Sequence, residues 1–290
     1  MGNSLRHIRV IAANTFTEAI RQKVLYVLVV FCLLMLGGSS FISQMDFKGD
    51  DFKFMKDLAY AGISLVGLLV ALLGAALLIP AEVEKRTIYT LLSKPVRKFE
   101  FIAGKYLGLV ALLTLFVTLM AGIFFIALWG HENALTAREL AAGGGRLTEV
   151  QTQLVGEYRA SAYDPAMIQA LALIWAKLCL VTVICVLFST VASSTVFIVS
   201  CTLFVYLIGH LQMIAREYFL GGEVAQWWWK IFLAAVALLI PDFQTFNLSD
   251  EIIAGNTVRW VDTAPILAYA GVYALVTLTV SALVFEGREL

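Results

Sequence analysis

The chain is 290 residues long, 60% hydrophobic and only 14% charged, with 21 Lys/Arg balanced by 21 Asp/Glu. Soluble globular domains carry roughly 25% charged residues, so this composition excludes one and points to a chain embedded in a membrane. Several charge-free runs reach the roughly 20 residues that a helix needs to cross a bilayer, and the short alternating segments of a barrel are absent. The expectation is therefore an all-α integral membrane protein that forms a single transmembrane domain over residues 1–290.

Residues 1–23 come first. Leu5, Ile8, Ala12, Phe16, Ala19 and Ile20 recur on one helical face, with Arg6, Arg9 and Arg21 largely off it. This is the pattern of an amphipathic helix lying in the membrane surface. A cleaved signal peptide is not expected, because the basic region is too long and the apolar run after it is of span length.

Six spans are expected at 24–43, 58–81, 106–130, 166–188, 191–215 and 264–285. Only the fourth contains a Lys, Arg, Asp or Glu, namely Lys177. An intramembrane charge marks a functional site by default, so Lys177 is a candidate pathway residue. Packing against backbone carbonyls, or snorkelling from a shifted span, is the alternative.

Between the second and third spans lies the charged loop 82–105. Glu82, Glu84, Lys85 and Arg86 precede Thr87. Ile88, Leu91 and Leu92 then share one helical face ahead of Pro95, and Arg97, Lys98 and Glu100 follow. A short amphipathic helix at the mouth of two spans suits docking into a groove on a soluble protein. A solvated surface loop is the plainer reading.

The loop 131–164 is the longest polar stretch, and Gly143, Gly144 and Gly145 divide it into two short expected helices. It suits a cap over an opening, a contact for an external partner protein, or a solvated loop. Spans four and five are separated only by Ser189–Thr195 and should form a tight hairpin. Residues 227–241 are apolar but short, and open on Trp227, Trp228 and Trp229. Such a segment suits an interfacial or re-entrant helix. If it spanned instead, Asp242–Asp262 would become cytoplasmic and Arg288 external.

Basic residues outnumber acidic ones in 1–23, 82–105 and the tail, whereas acidic residues dominate the opposite loops. The positive-inside rule then places both termini in the cytoplasm. Cys32, Cys179, Cys185 and Cys201 fall inside spans, where they read as small apolar fillers. There is no GxxxxGK[ST], HExxH or GxSxG, so no nucleotide, zinc or nucleophile motif is present. His7, His131 and His210 lie on different elements. Small residues at Gly104-x-x-x-Gly108 and along Gly67, Ala71 and Ala75 permit close helix approach.

Glu84, Arg86, Thr87, Thr90-Leu91-Leu92-Ser93, Pro95-Val96-Arg97, Gly104–Gly108 and the segment Leu239–Asn247 together resemble the permeases of type-two ABC exporters. The group associated with multicopper-enzyme maturation and nitrous-oxide reductase assembly is the nearest in pattern. The resemblance implies that Glu84, Arg86, Thr87, Ile88, Leu91, Leu92, Pro95 and Arg97 form the coupling segment on a separate soluble ABC ATPase, present in two copies. It also implies a homodimer of permeases in the cell membrane of a prokaryote, its cytoplasmic or inner membrane. No cofactor is expected in this chain, since ATP and Mg would be held by the ATPase. Membrane lipids complete the expected partners, with no nucleic acid among them. The rival readings are a non-transporting membrane anchor and an integral-membrane enzyme using Lys177 and His210.

Overall fold

The computed structural model describes residues 2–42, 51–84, 97–142, 148–220, 227–228, 231, 235–236, 239–247 and 259–287. No strand occurs among them. The principal helices are α1 (Gly2–Ile20), α2 (Lys23–Ile42), α3 (Asp51–Glu84), α4 (Lys98–Ala142), α5 (Glu149–Ala162), α6 (Ala166–Val191), α7 (Thr195–Leu220) and α8 (Trp260–Glu286), with a 3-10 turn at Gln244–Phe246. Five of them, α3, α4, α6, α7 and α8, are long and apolar enough to cross a membrane. The 20-residue α2 carries no charge after Lys23. The protein is thus an all-α integral membrane protein.

The helix ends differ from the expected span limits in instructive ways. α3 begins at Asp51 and runs to Glu84, while α4 begins at Lys98 and continues to Ala142. Charges were expected to mark loops. Here they sit in helical turns that project beyond the apolar stretch, and several have partners on neighbouring elements. At 45 residues α4 is about 68 Å long, more than twice the ~30 Å hydrocarbon core. The turn between α6 and α7 is short, Ala192–Ser194. Ala192 is extended, and its N–H bonds the Phe188 carbonyl to close α6.

α6 is the centre of the bundle and touches α3, α4, α7, α8 and the 3-10 turn. Lys177, Leu178, Cys179, Leu180 and Val181 are consecutive and all buried, so no face of this helix is left open. Helix association in lipid depends on close van der Waals packing rather than on escape from water. The small residues of α3 supply that closeness. A Cβ on Gly67 would fall 2.4 Å from Leu178 Cδ1 and 3.4 Å from Phe116, while Ala71 and Ala75 are buried. One ring further along, the Cys185 thiol donates to the Leu72 carbonyl at 3.7 Å. By contrast α2, α7 and α8 expose Val27, Leu34, Phe204, Val272 and Leu275, as lipid-facing or subunit-facing helices do.

Contacts fix the two ends of the bundle. The start of α4 meets α1 and the end of α8, so both chain ends lie there. The start of α6 meets the start of α8 through Thr263 and Gln169. The outer turns of α4 meet α5 near this second end.

Candidate functional site

The first region of interest is the start of α4, where three elements are locked together. A Cβ on Gly104 would lie 2.8 Å from Ile11 Cβ, and one on Gly108 would lie 2.7 Å from both the Ala12 carbonyl and Thr15 Cβ. These glycines form the groove that receives α1. The buried face of α1 carries Ile11, Thr15 and Ala19, whereas Leu5, expected on the apolar stripe, is 64% exposed. The Ser4 hydroxyl donates to Glu100, and His7 Nδ1 lies 3.0 Å from the other carboxylate oxygen. Glu100 stands before the charge-free part of α4. The Ser4 bond, then the His7 bond, hold its carboxyl below the usual range, against the opposing effect of burial.

The same turns tie in α8. Lys98 Nζ donates to the carbonyls of Phe285 at 3.4 Å and Glu286 at 3.1 Å. An ammonium at these unsatisfied carbonyls complements the negative end of the helix. Phe101 stacks on Phe285 with centroids 6.0 Å apart. Lys105, fully buried, lies 4.0 Å from Glu18 and 5.7 Å from the Phe101 ring.

Of the expected coupling residues, Glu84 closes α3, and Arg97 stands exposed just before α4. Arg86, Thr87, Ile88, Leu91, Leu92 and Pro95 lie outside the described residues. So do seven of the fifteen residues of the 227–241 segment.

The second region is a cavity of about 350 Å³ between α3, α6 and α7, nearer the α5 end of the bundle. Asp57, Tyr60 and Ser64 from α3 line it, with Lys177 from α6, His210 from α7 and Asn247. Lys177 is only 4% exposed, and its Nζ donates to Asn247 Oδ1 at 3.3 Å. The structure therefore brings Lys177 and His210, two residues remote in sequence, to one polar chamber. Asp57, Tyr60 and Ser64 follow helical spacing on α3. That periodic polar row was the available signal for them, and it was missed because Asp57 reads as a loop acid.

The segment Leu239–Asn247 carries Asn247 into the cavity wall, and its packing explains its composition. The Phe243 N–H donates to the Gly209 carbonyl at 3.3 Å. A Cβ on Gly209 would lie 2.5 Å from the Pro241 carbonyl and 2.5 Å from the Phe243 ring. Gln212 donates to the Ile240 carbonyl at 2.8 Å, and Tyr273 donates to the Leu239 carbonyl at 2.6 Å. Phe243 and Phe246 are buried. The segment is a plug wedged between α7 and α8.

Beyond the cavity, the outer turns of α4 and α5 make a helical cap. Thr148 and Gln151 form a reciprocal capping box at the start of α5. Arg159 pairs with the buried Glu132 at 3.0 Å, and Phe52 of α3 meets His131 edge-on at 5.3 Å. Tyr163, between α5 and α6, is pushed up first by desolvation and then by its hydrogen bond to Glu132.

A comparison with curated proteins finds no match. The family described as ABC-2 family transporter protein matches residues 9–290, which covers α2 to α8 and most of α1. Helical membrane architecture and family match agree: the chain belongs to the ABC-2 transporter family, and is a membrane permease component of an ABC transporter that works with an ATPase partner.

Proposed function

We propose that this chain is one half of an ATP-driven exporter, in which two copies form the pathway and two ATPase subunits dock on the segment between α3 and α4. In this reading the α1 end is cytoplasmic, as the excess of Lys and Arg in 1–23 and 82–105 requires. The membrane is the cytoplasmic or inner membrane of a prokaryote. The resemblance to the multicopper-enzyme-maturation and nitrous-oxide-reductase-assembly group favours export over import.

One observation carries the coupling role. α4, which begins within the 82–105 segment, is clamped over its first three turns to α1 and to the end of α8, through Glu100, Gly104, Gly108, Lys98 and Phe101. A push on Arg97 and the residues before it is therefore delivered to α4, α1 and α8 together rather than lost in a loose loop. ATP and Mg bind in the partner, which supplies the energy. The permease contributes Ile88, Leu91 and Leu92 as the apolar docking face, framed by Glu84, Arg86, Thr87, Pro95 and Arg97. Lys177 stands in the pathway.

Co-purification with its ABC ATPase partner tests this. Leu91→Asp or Leu92→Asp would place an unpaired carboxylate in the interface, at a cost of several kcal/mol. Loss of the complex with normal membrane insertion is the expected result. Undiminished ATPase binding and turnover in both variants would remove the coupling assignment.

A further inference from the structure

We propose that the groove under the α1–α2 turn is a binding site for one anionic phospholipid, with an acyl chain lying between α2 and α4 and the headgroup on Arg21 and Lys23. The site needs neither the ATPase nor turnover, so it stands or falls apart from the coupling reading.

The groove has a volume of about 120 Å³ and is walled by Ile20 at the end of α1, Leu25 and Val29 of α2, Val70 of α3, and Phe116 and Met120 of α4. Among the described residues that line it, Tyr26 alone carries a hydroxyl and none is charged. Water finds no set of polar partners there. A helix of a second copy, about 10 Å across with its side chains, is too wide to enter so small a space. A stretch of acyl chain is narrow, apolar and supplied by the bilayer itself. Leu115 and Leu119 also line the groove and are 45% and 43% exposed, so it is open on the lipid side.

The turn above the groove selects the headgroup. Arg21 and Lys23 lie in the stretch that joins the Ile20 wall to the Leu25 wall, and both are exposed. The turn is held in place: the Gln22 N–H donates to the Ala19 carbonyl at 3.0 Å, and the Leu25 N–H donates to the Gln22 carbonyl at 3.1 Å. α2 carries no charge after Lys23, so Lys23 marks the headgroup level and Leu25 to Val29 lie within the first two turns below it. Tyr26, 57% exposed, has the apolar ring and polar tip that suit this boundary. Glu18, the one acid of residues 1–23, lies 4.0 Å from Lys105, so the turn keeps a net positive charge. Each Lys or Arg at a membrane surface attracts anionic lipid, whereas a zwitterionic headgroup gains little. Basic turn and apolar groove thus match the two halves of one anionic phospholipid.

The test uses the purified full chain. Native mass spectrometry measures retention of phosphatidylglycerol against phosphatidylcholine with the same acyl chains. One retained phosphatidylglycerol, preferred on the order of thirtyfold, is the expected result. The preference should fall about fivefold in each of Arg21→Gln and Lys23→Gln and nearly vanish in the double variant. Arg6→Gln with Arg9→Gln removes the same charge from exposed positions three turns or more before Ile20, and should leave retention within about twofold. Leu119→Trp, at a half-exposed position on the groove wall, fills the groove and should lower retention of the lipid on the order of tenfold. Should that variant fail to fold, the two exposed charge pairs decide alone. Equal retention of the two lipids overturns the proposal. So does an equal loss from both charge pairs, which would mean diffuse attraction to a basic face. A dimer that weakens in Leu119→Trp while lipid retention holds would assign the groove to a second copy, and overturns it as well.

Discussion

Replacing Gly108 by Ala tests the seat of α1 with a built-in control. The new methyl would lie 2.7 Å from the Ala12 carbonyl oxygen and 2.7 Å from Thr15 Cβ, against ordinary contacts of 3.4 Å or more. The first obstacle is backbone and the second is the root of a side chain, so neither can rotate aside. The two helices must separate by roughly 0.7 Å, which breaks the register of Ile11 and Thr15 in the groove. Overpacking of this kind costs about 1–3 kcal/mol, and the better helix propensity of Ala returns about 1 kcal/mol. The net loss should be up to about 2 kcal/mol of α1 docking. Gly122 lies in the same helix with nothing within 4 Å of its would-be Cβ, so Gly122→Ala should be neutral or stabilising by up to about 1 kcal/mol. Spin labels on the exposed Arg9 and Leu115 report the α1–α4 distance, and thermal unfolding reports stability. The expected result is a broadened, lengthened distance and a lower midpoint for Gly108→Ala only. If the two variants behave alike, the groove is not what holds α1.

Two further outcomes follow from the same structure. Gly209→Ala should push away the Pro241–Phe243 stretch, whose atoms stand 2.5 Å from the new methyl. That would draw Asn247 from Lys177 and lower the unfolding midpoint, so an unchanged midpoint would count against the plug. Glu100 has its carboxyl held below the ordinary range when α1 is docked, so its contribution is present above the ordinary carboxylate range and fades as pH falls through the lower docked value. The Arg9–Leu115 distance should therefore lengthen in acid for the native chain and stay flat with pH in Glu100→Gln.

Much of the fold is written plainly in the residues. The long apolar runs at 58–81, 106–130, 166–188 and 264–285 fall on α3, α4, α6 and α8, and 191–215 falls on α7 apart from its first four residues, because lipid leaves a long apolar run few alternatives to a helix. α4 ends at Ala142 and α5 begins at Glu149, and the expected break at Gly143–Gly145 lies outside the described residues. What a helical face will touch is harder to read. The stripe on α1 shows that it has an apolar side, yet nothing local says that Gly104 and Gly108 are its seat or that polar Thr15 is buried in it. Glu100 and Lys105 looked like loop charges because their partners, Ser4, His7 and Glu18, are some 90 residues away. The cavity shows the same limit. Lys177 stands out alone in its span, but Tyr60 and Asn247 are ordinary residues until the fold places them on the same cavity.

The arrangement of α4 gives the two sites a common mechanical element. Its 45 residues contain no Pro, and sharp bends in helices come almost entirely from Pro, Gly/Ser pairs or inserted turns. Glu100 near one end is bonded to α1, and Glu132 near the other is bonded to Arg159 of the α5 cap. A tilt imposed at the clamped start must then move the cap as well. α3 differs: Pro80 stands one turn before its end at Glu84, which removes a backbone hydrogen bond just where the proposed coupling segment begins. Under that coupling, α3 yields at its end while α4 carries the displacement. The cavity lies between α3, α6 and α7, and α4 packs on both α3 and α6. A motion of α4 relative to α3 would therefore reach the walls of that cavity. Under the proposed coupling, docking of the ATPase would reach the cavity through α4 rather than along the loops.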